Sequence, residues 1–288
     1  MTDKILEYLP HGCADEIKRL LISRGVSGSE ISEIRARAFG KSSVTISGER
    51  VTLTCRFDSS ELSRSVLAMC DGALYAKRES IKDGYITLEG GVRVGVCGEG
   101  RYDGGVFVGV CNVSSLVFRI PSSRIVRCDE IGVAFRECRC GVLIYSPPGA
   151  GKTTALRSLA LEIGRGKPDE QVTVVDERCE FCEEDYRSAS VDILRGYKRE
   201  RGIEIALRTL SPSVIMVDEI GRVAEAEAML DSLNSGVRVV ATAHAASVEE
   251  LKKRKSIQPF LQREIFDVFV GISLIGGKRR ITVNGENI

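Results

Sequence analysis

The sequence predicts an α/β fold with a mainly parallel sheet in residues 126–288, preceded by a smaller α+β domain in residues 1–125. After residue 125, short apolar runs rich in β-branched residues alternate with amphipathic helical stretches. This rhythm is typical of parallel strands joined by right-handed crossovers. Before that point, short alternating runs separated by Gly and Ser indicate a small antiparallel sheet. The turn-forming segment PSSR, residues 121–124, is the predicted linker.

The N-terminal part combines two helical patterns with two strand-rich stretches. DEIKRLLIS, residues 15–23, predicts the first helix, and residues 33–55 alternate as strands do. The second helical stretch, SSELSRSVLAMCDGALYA at 59–76, begins with serines suited to capping. Residues 84–120 then return to strands punctuated by glycines. This mixture predicts the α+β class.

The C-terminal part contains four strand candidates with three helices between them. The strands are GVLIYS (141–146), QVTVVD (171–176), SVIMVD (213–218) and GVRVVATA (236–243). The helices are TTALRSLALEIG (153–164), GIEIALRTL (202–210) and VAEAEAMLDSLNSG (223–236). Because the strands are apolar throughout, we expect helices to cover the sheet on both faces.

Composition excludes several classes of protein. Hydrophobic residues make up 43% and charged residues 28%, as in folded globular chains. Lys and Arg number 41 against 40 Asp and Glu, so no overall basic field favours nucleic acid. The chain shows no apolar signal segment and no apolar run near the roughly 18 residues that span a bilayer. We therefore expect a cytoplasmic protein with reduced thiols.

Two short cysteine spacings raise the question of a metal site. Cys179 and Cys182 form a C-x-x-C, and Cys138 and Cys140 form a C-x-C. The chain has only two histidines, and nothing in the sequence places the two cysteine pairs side by side. We therefore expect no zinc.

The segment SPPGAGKTT matches a phosphate-binding loop except at its first position. The usual pattern is G-x-x-x-x-G-K-[ST], and a serine stands here where the first glycine is expected. The predicted nucleotide-binding residues are Ser146, Pro147, Pro148, Gly149, Ala150, Gly151, Lys152, Thr153 and Thr154. Because a strand, this loop and an amphipathic helix follow in the correct order, the departure weakens the pattern only slightly.

The residue types in this loop suit ATP with Mg²⁺. Gly149 and Gly151 allow the backbone to curl around phosphate at a helix N-terminus. Lys152 offers a positive charge to the β- and γ-phosphates, and the Thr153 hydroxyl is a ligand for Mg²⁺.

Two later strands end in residues that complete such a site. Asp218 is predicted to hold the Mg²⁺ shell through water, and Glu219 to polarise the attacking water as a general base. The next strand places Thr242 and His244 at the same carboxyl edge of the sheet, where ligands of such folds bind. We expect His244 either to sense the γ-phosphate or to couple the parts of the active site.

At this point a resemblance to a known family is evident. SPPGAGKTTALRSLA, VVDERCEF and the stretch from GIEIALRTL to ATAHAAS resemble the stage III sporulation protein AA family of endospore-forming bacteria. That family is a branch of the secretion ATPases within the RecA-like P-loop enzymes. The resemblance continues through EIRARAFGK and GYITLEGGVRVGVCGEG, so it covers most of the chain.

The resemblance implies further site residues in a RecA-like P-loop ATPase domain. Asp176 and Glu177 stand in the family's acidic box, Arg208 on the arginine-bearing helix, and His244 in the His box. Cys179 replaces the more usual serine of the acidic box.

The resemblance also implies an assembly and a task. Such enzymes form rings, usually hexamers, with ATP at the cleft between the two domains. Arginines of the N-terminal domain reach toward phosphate there, and Arg93 and Arg119 are the candidates. The implied task is to energise a membrane-spanning channel from the mother-cell cytosol, docked on membrane proteins of that complex.

Two other function classes remain open. A nucleic-acid-dependent RecA-like ATPase would use the basic segments LKKRKS (251–256) and GGKRRITV (276–283), although the net charge is only +1. A scaffold that binds nucleotide without hydrolysis is the other alternative. Glu219 argues against it, because a pure binder does not need a base beside Asp218.

Overall fold

The computed structural model describes residues 2–70, 84–121, 129–168, 170–276, 278–284 and 286–287. Two compact units divide the chain, Met1–Ser123 and Arg124–Ile288. The end of the second predicted helix, residues 71–76, lies outside the described residues, as do linker residues 122–124 and the predicted domain boundary. In the part of the chain that is described, no helix has both the length and the apolar character needed to cross a bilayer.

The first unit is an antiparallel sheet with helices, as the sequence predicts. Its helices are α1 (Thr2–Glu7), α2 (His11–Arg24) and α3 (Ser59–Cys70). Its strands are β1 (Ile31–Arg37), β2 (Ser43–Ile46), β3 (Glu49–Thr52), β4 (Tyr85–Thr87), β5 (Arg93–Asp103) and β6 (Val106–Arg119). The sheet order is β3-β2-β1-β6-β5-β4. Ile17, Leu62 and Phe118 are fully buried in its core.

The second unit is built on an eight-stranded, mainly parallel sheet. Its strands are β7 (Gly141–Ser146), β8 (Val172–Asp176), β9 (Val191–Arg195), β10 (Val214–Val217), β11 (Arg238–His244), β12 (Val268–Ile275), β13 (Lys278–Val283) and β14 (Glu286–Asn287). The sheet order is β14-β13-β12-β7-β11-β10-β8-β9, and only β13 and β14 run antiparallel to their neighbours. The sequence predicts β7, β8, β10 and β11 but misses the others.

Helices cover both faces of this sheet. They are α4 (Asp129–Glu137), α5 (Lys152–Gly164), α6 (Arg199–Thr209), α7 (Val223–Asn234), α8 (Val248–Lys253) and α9 (Gln258–Gln262). Val142 and Ile144 of β7 pack in the core with α4 and α5, whereas Leu143 and Tyr145 pack in the core with α6 to α9. Every residue of β7 is therefore buried, which explains its continuous apolar run.

Parallel pairing brings the functional strand ends to one edge of the sheet. Ser146 at the end of β7 lies in register with His244 at the end of β11. Val217 of β10 is in register with Ala241 of β11 and with Val175 of β8. The residues that follow these strands therefore meet at one edge, as the sequence predicts.

The close contact between α6 and β8 allows a test of the packing. A Cβ at Gly202 would overlap the buried Val175 side chain, whereas the three atoms nearest to a Cβ at Gly132 of α4 all belong to the flexible carboxylate of Glu162. We expect Gly202→Ala to lower the free energy of unfolding by about 1–3 kcal/mol, as overpacking of a core does. Gly132→Ala, the matched control, should lower it by less than about 1 kcal/mol, because a surface side chain can move aside. Chemical denaturation of both variants checks this, and equal losses would contradict the packing described.

Candidate phosphate-binding site

The predicted phosphate loop forms the turn from β7 into α5. Gly149 and Gly151 have φ of 76° and 99°, in the left-handed region that favours glycine. Gly151 is the N-cap of α5, and no side chain caps that helix start. The first backbone N–H groups of α5 are thus available to an anion. Ser146 ends the extended strand, where the backbone does not require glycine, and its hydroxyl donates to the carbonyl oxygen of Pro147 at 2.8 Å.

The Lys152 ammonium lies buried over this turn. It donates to the Ser146 carbonyl oxygen at 3.3 Å and contacts His244 Nδ1 at 2.9 Å. Burial lowers the pKa of Lys152, although the nearby carboxylates of Asp218 and Glu219 act in the opposite direction. A phosphate group would provide this desolvated cation with a strong acceptor.

Asp218 joins the phosphate loop to two strands. Its Oδ2 accepts a hydrogen bond from Thr153 Oγ1 at 2.9 Å, and its Oδ1 accepts one from Thr242 Oγ1. The Thr242 oxygen in turn accepts the backbone N–H of Glu219 at 2.8 Å. A threonine hydroxyl beside a carboxylate is an oxygen donor set that fits Mg²⁺, held directly or through water.

Glu219 is the centre of a chain of polar contacts. Its φ of 60° is left-handed, which is uncommon for a residue with a side chain and recurs at functional sites. Its Oε1 lies 2.9 Å from His244 Nε2, and its Oε2 forms an ion pair with Arg178. Because an ammonium can only donate, Lys152 donates to His244 Nδ1, and His244 donates from Nε2 to Glu219.

These side chains line one cavity of about 300 Å³. The lining residues are Gly149, Gly151, Lys152, Thr153, Thr154, Arg178, Asp218, Glu219 and His244. The structure therefore brings together the predicted loop, Asp218, Glu219 and His244. It adds Arg178, which sequence reasoning missed.

Asp176 and Glu177 do not line the cavity but contact the segments that surround it. Asp176 is buried, and burial raises its pKa. Its carboxylate accepts the backbone N–H groups of Glu180 and Phe181 at 2.9 and 2.8 Å, which shapes the loop after β8. Glu177 pairs with Arg199 Nη1 at 2.5 Å, and Arg199 Nε donates to the Asp218 carbonyl oxygen at 2.7 Å.

Arg199, not the predicted Arg208, is the arginine of α6 that reaches this site. Arg199 begins the helix and is buried beside Glu225, which is fully buried and accepts the backbone N–H groups of Gly221 and Arg222. Arg208 is exposed in the last turn of α6. Nine residues of helix correspond to about 13 Å, so the two arginines lie at opposite ends. The role implied for Arg208 stays a prediction.

A further arginine approaches the loop from β13. A Cβ added at Gly151 would lie 2.9 Å from Arg279 Nη2. Arg279 belongs to GGKRRITV, a segment interpreted above only as a basic cluster. The C-terminal unit therefore places two arginines at the loop, Arg178 and Arg279, that the sequence analysis did not assign to the site.

Arg93 and Arg119 lie in the first unit as direct neighbours. Arg93 of β5 is in register with Arg119 of β6, and Arg119 is in register with Glu33 of β1. The Arg93 guanidinium also lies 5.7 Å from the centroid of the Tyr85 ring. Their predicted role toward phosphate stays a prediction.

The cysteine pairs lie apart from this cavity's lining. Cys138 is buried, and Cys140, Cys179 and Cys182 are half-buried. Among the residues that the structure describes, no group of three or more His, Cys, Asp or Glu side chains is arranged to hold a metal ion. The expected absence of zinc stays a prediction.

Comparison with solved structures supports the fold class. The chain superposes on the Legionella pneumophila ATPase DotB with a TM-score of 0.63 and 17% identity, covering 93% of this chain and 79% of that chain. It superposes on the pilus retraction motor PilT, solved with bound ADP, with a TM-score of 0.65 and 17% identity, covering 93% and 83%. The predicted P-loop ATPase-like fold is confirmed.

Sequence comparison identifies the family. Protein SEEDLING PLASTID DEVELOPMENT 1 of Arabidopsis thaliana is 29% identical over 161 residues, covering 50% of this chain and 20% of that protein. Stage III sporulation protein AA of Bacillus subtilis (strain 168) is 27% identical over 285 residues, covering 96% of this chain and 92% of that protein. The family model for sporulation stage III, protein AA matches residues 4–285. The chain therefore belongs to the sporulation stage III protein AA family.

Proposed function

We propose that this chain binds ATP with Mg²⁺ and hydrolyses it, and that it uses the energy to drive a membrane-spanning channel complex during endospore formation. The proposal rests on one observation. The Thr153 hydroxyl donates a hydrogen bond to Asp218 Oδ2 at 2.9 Å, in the cavity that Lys152 and Glu219 also line. A hydroxyl and a buried lysine at the start of one helix, facing an acid pair at the end of a nearby strand, are the parts that P-loop nucleotide hydrolysis requires.

Each part has a task in this reaction. The backbone N–H groups of the loop and the Lys152 ammonium would bind the phosphates, while Thr153 and Asp218 would hold Mg²⁺. Mg²⁺, when bound, neutralises charge that develops on the phosphate oxygens. Glu219 orients a water molecule and accepts its proton.

His244 links binding to this chemistry. Its ring contacts Lys152 through one nitrogen and Glu219 through the other, both at 2.9 Å. A phosphate that draws the Lys152 ammonium away changes the hydrogen bonding of His244, and through it the position of Glu219. We propose that His244 is a positioning residue that reports the presence of the γ-phosphate to Glu219.

The family and the names of its structural neighbours support a wider role. One neighbour is described as an ATPase and the other as a pilus retraction motor with bound ADP. We propose that the chain acts as a homo-hexameric motor in the mother-cell cytoplasm, docked on membrane proteins of the channel. Arg93 and Arg119, adjacent on one sheet face, are proposed to supply positive charge to ATP when the ring assembles.

A nucleic-acid-dependent ATPase is the alternative, and the basic segments are partly engaged within the fold. Arg254 pairs with Glu250 at 2.9 Å, and Arg279 lies beside Gly151. We therefore expect single-stranded DNA to leave the ATPase rate unchanged. Cytosolic segments of the membrane partners should raise it, and stimulation by DNA alone would favour the alternative.

Separating binding from chemistry tests the proposed roles. Lys152→Ala should weaken ATP binding by about 10- to 100-fold, because it removes a charge-assisted contact. Glu219→Gln should bind ATP at least as tightly as wild type and lower turnover about 10²- to 10⁴-fold, because it removes the base and no phosphate contact. Calorimetric titration and an ATPase assay measure the two effects, with the exposed Glu227→Gln as control. A Glu219→Gln variant with wild-type turnover would refute Glu219 as the base.

The burial of Lys152 predicts a pH dependence of stability. Because its pKa is lowered in the folded protein, the unfolded chain binds more protons there, and ligand-free stability rises with pH between the two pKa values. Lys152→Met removes this titration. We therefore expect the melting temperature of Lys152→Met, relative to wild type, to fall as pH rises from about 7 toward the ordinary lysine pKa of about 10.4. Thermal scans over this range check the trend.

The exposed Lys253→Met is the control for that experiment. A constant difference between Lys152→Met and wild type would show that folding does not lower the pKa of Lys152.

The N-terminal arginines predict a dependence on assembly. Arg93→Ala and Arg119→Ala should each lower kcat at least about 10-fold while KM changes less, since arginines at P-loop sites act on the transition state. The rate per chain should also rise with protein concentration as rings form. ATPase assays with light scattering measure both, with Arg101→Ala on β5 as the exposed control. A wild-type kcat in both variants would show that Arg93 and Arg119 are ordinary strand residues with no role in turnover.

A further inference from the structure

Arg178 is the charged residue of the cavity that the proposed reaction does not use. It follows Glu177 just beyond the end of β8, and its guanidinium pairs with Oε2 of Glu219. The same guanidinium lines the cavity together with Lys152 and Thr153. The Arg178 guanidinium therefore pairs with Glu219, the proposed base, inside the cavity where phosphate is expected to bind.

The backbone that carries Arg178 is firmly held. The Asp176 carboxylate accepts two backbone N–H groups of the loop, and the Asp176 carbonyl oxygen accepts the N–H of Gly196 at 2.9 Å. The side chain itself remains 41% exposed. A fixed backbone with a long, partly solvated side chain lets the guanidinium move between nearby acceptors without rearranging the loop.

The pairing has a chemical consequence for Glu219. One carboxylate oxygen is engaged by Arg178 and the other by His244 Nε2. A carboxylate must present an oxygen to a water molecule before it can accept the proton. While Arg178 holds Oε2, the Glu219 carboxylate is restrained between two donors and has fewer lone pairs to offer a water molecule.

We propose that Arg178 responds to the γ-phosphate. Without triphosphate, its guanidinium pairs with Glu219 and restrains it; when a nucleoside triphosphate binds, the guanidinium moves to pair with the terminal phosphoryl oxygens. This inference rests on the proposed ATPase function. A terminal phosphoryl group offers three oxygens and more negative charge than one carboxylate, and the planar guanidinium fork matches two of those oxygens. A diphosphate lacks this group, so Arg178 stays on Glu219 when ADP is bound.

The inference predicts selective loss of triphosphate recognition in the full-length protein. Titration with a fluorescent non-hydrolysable ATP analogue and with fluorescent ADP gives two affinities for each variant. Arg178→Gln should weaken the triphosphate analogue about 10- to 100-fold and change ADP affinity less than about threefold, because the lost contact is charge-assisted and made only to the third phosphate. Arg187→Gln is the control, since Arg187 is 79% exposed and pairs only with Glu184 at 3.7 Å among the described contacts.

A second variant tests the competition directly. Glu219→Gln removes the charge that holds Arg178, so affinity for the triphosphate analogue should rise above that of wild type. The gain should vanish in the Arg178→Gln/Glu219→Gln double variant, because no guanidinium is left to be released. A gain of equal size in the double variant would overturn the inference.

Other results separate this inference from the proposed function. If Arg178→Gln weakened the binding of ADP and of the triphosphate analogue equally, the role of Arg178 would be merely structural and the inference would be overturned. An unchanged ratio of the two affinities would overturn it as well.

If Arg178→Gln does not fold, Arg178→Lys replaces it. Lysine lacks the paired N–H donors of a guanidinium, so the preference for the triphosphate analogue over ADP should fall at least about threefold. A preference equal to that of wild type would overturn the inference. Failure of the wild-type protein to bind either nucleotide would instead refute the proposed function.

Discussion

The Asp218 carboxylate is the contact on which the candidate site depends. It accepts hydrogen bonds from Thr153 at the start of α5 and from Thr242 in β11, and it follows β10 directly. One side chain thereby joins the phosphate loop to two strand ends. Because Thr242 also accepts the backbone N–H of Glu219, the same contact helps to hold that residue in its left-handed conformation. The proposed metal ligand and the proposed base are thus oriented together.

A second set of charges, in which Arg199 and Glu225 are buried and Glu177 is partly exposed, supports this arrangement from outside the cavity. Arg199 binds the Asp218 carbonyl oxygen and pairs with Glu177 and Glu225, and Glu225 accepts backbone N–H groups at the start of α7. Each charge in this set has a partner, as burial demands, because an unpaired buried charge costs several kcal/mol. Asp176 and Glu177 therefore have structural roles beside the site. Asp176 shapes a loop, and Glu177 acts through Arg199.

Sequence reasoning succeeded where local pattern determines position. Glycine and lysine spacing marks the phosphate loop, and the apolar runs of β7, β10 and β11 place Asp218, Glu219 and His244 at one edge because parallel strands share an edge. It failed where a long side chain reaches across the fold. Arg178 and Arg199 belong to no local pattern that reveals their partners. Arg279 depends on the β12–β13 hairpin, whose pairing with β7 joins residues more than a hundred positions apart.

The most direct test of the site is an experimental structure of the full chain with Mg²⁺ and a non-hydrolysable ATP analogue. The phosphates should lie on the backbone N–H groups of Gly149 to Thr153, with the Lys152 ammonium moved from His244 to the β- and γ-phosphates. Mg²⁺ should lie beside Thr153 and Asp218, and the Arg178 guanidinium on the γ-phosphate instead of Glu219. A nucleotide bound elsewhere, with Lys152 still against His244 and Ser146, would contradict the assignment of this cavity as the ATP site.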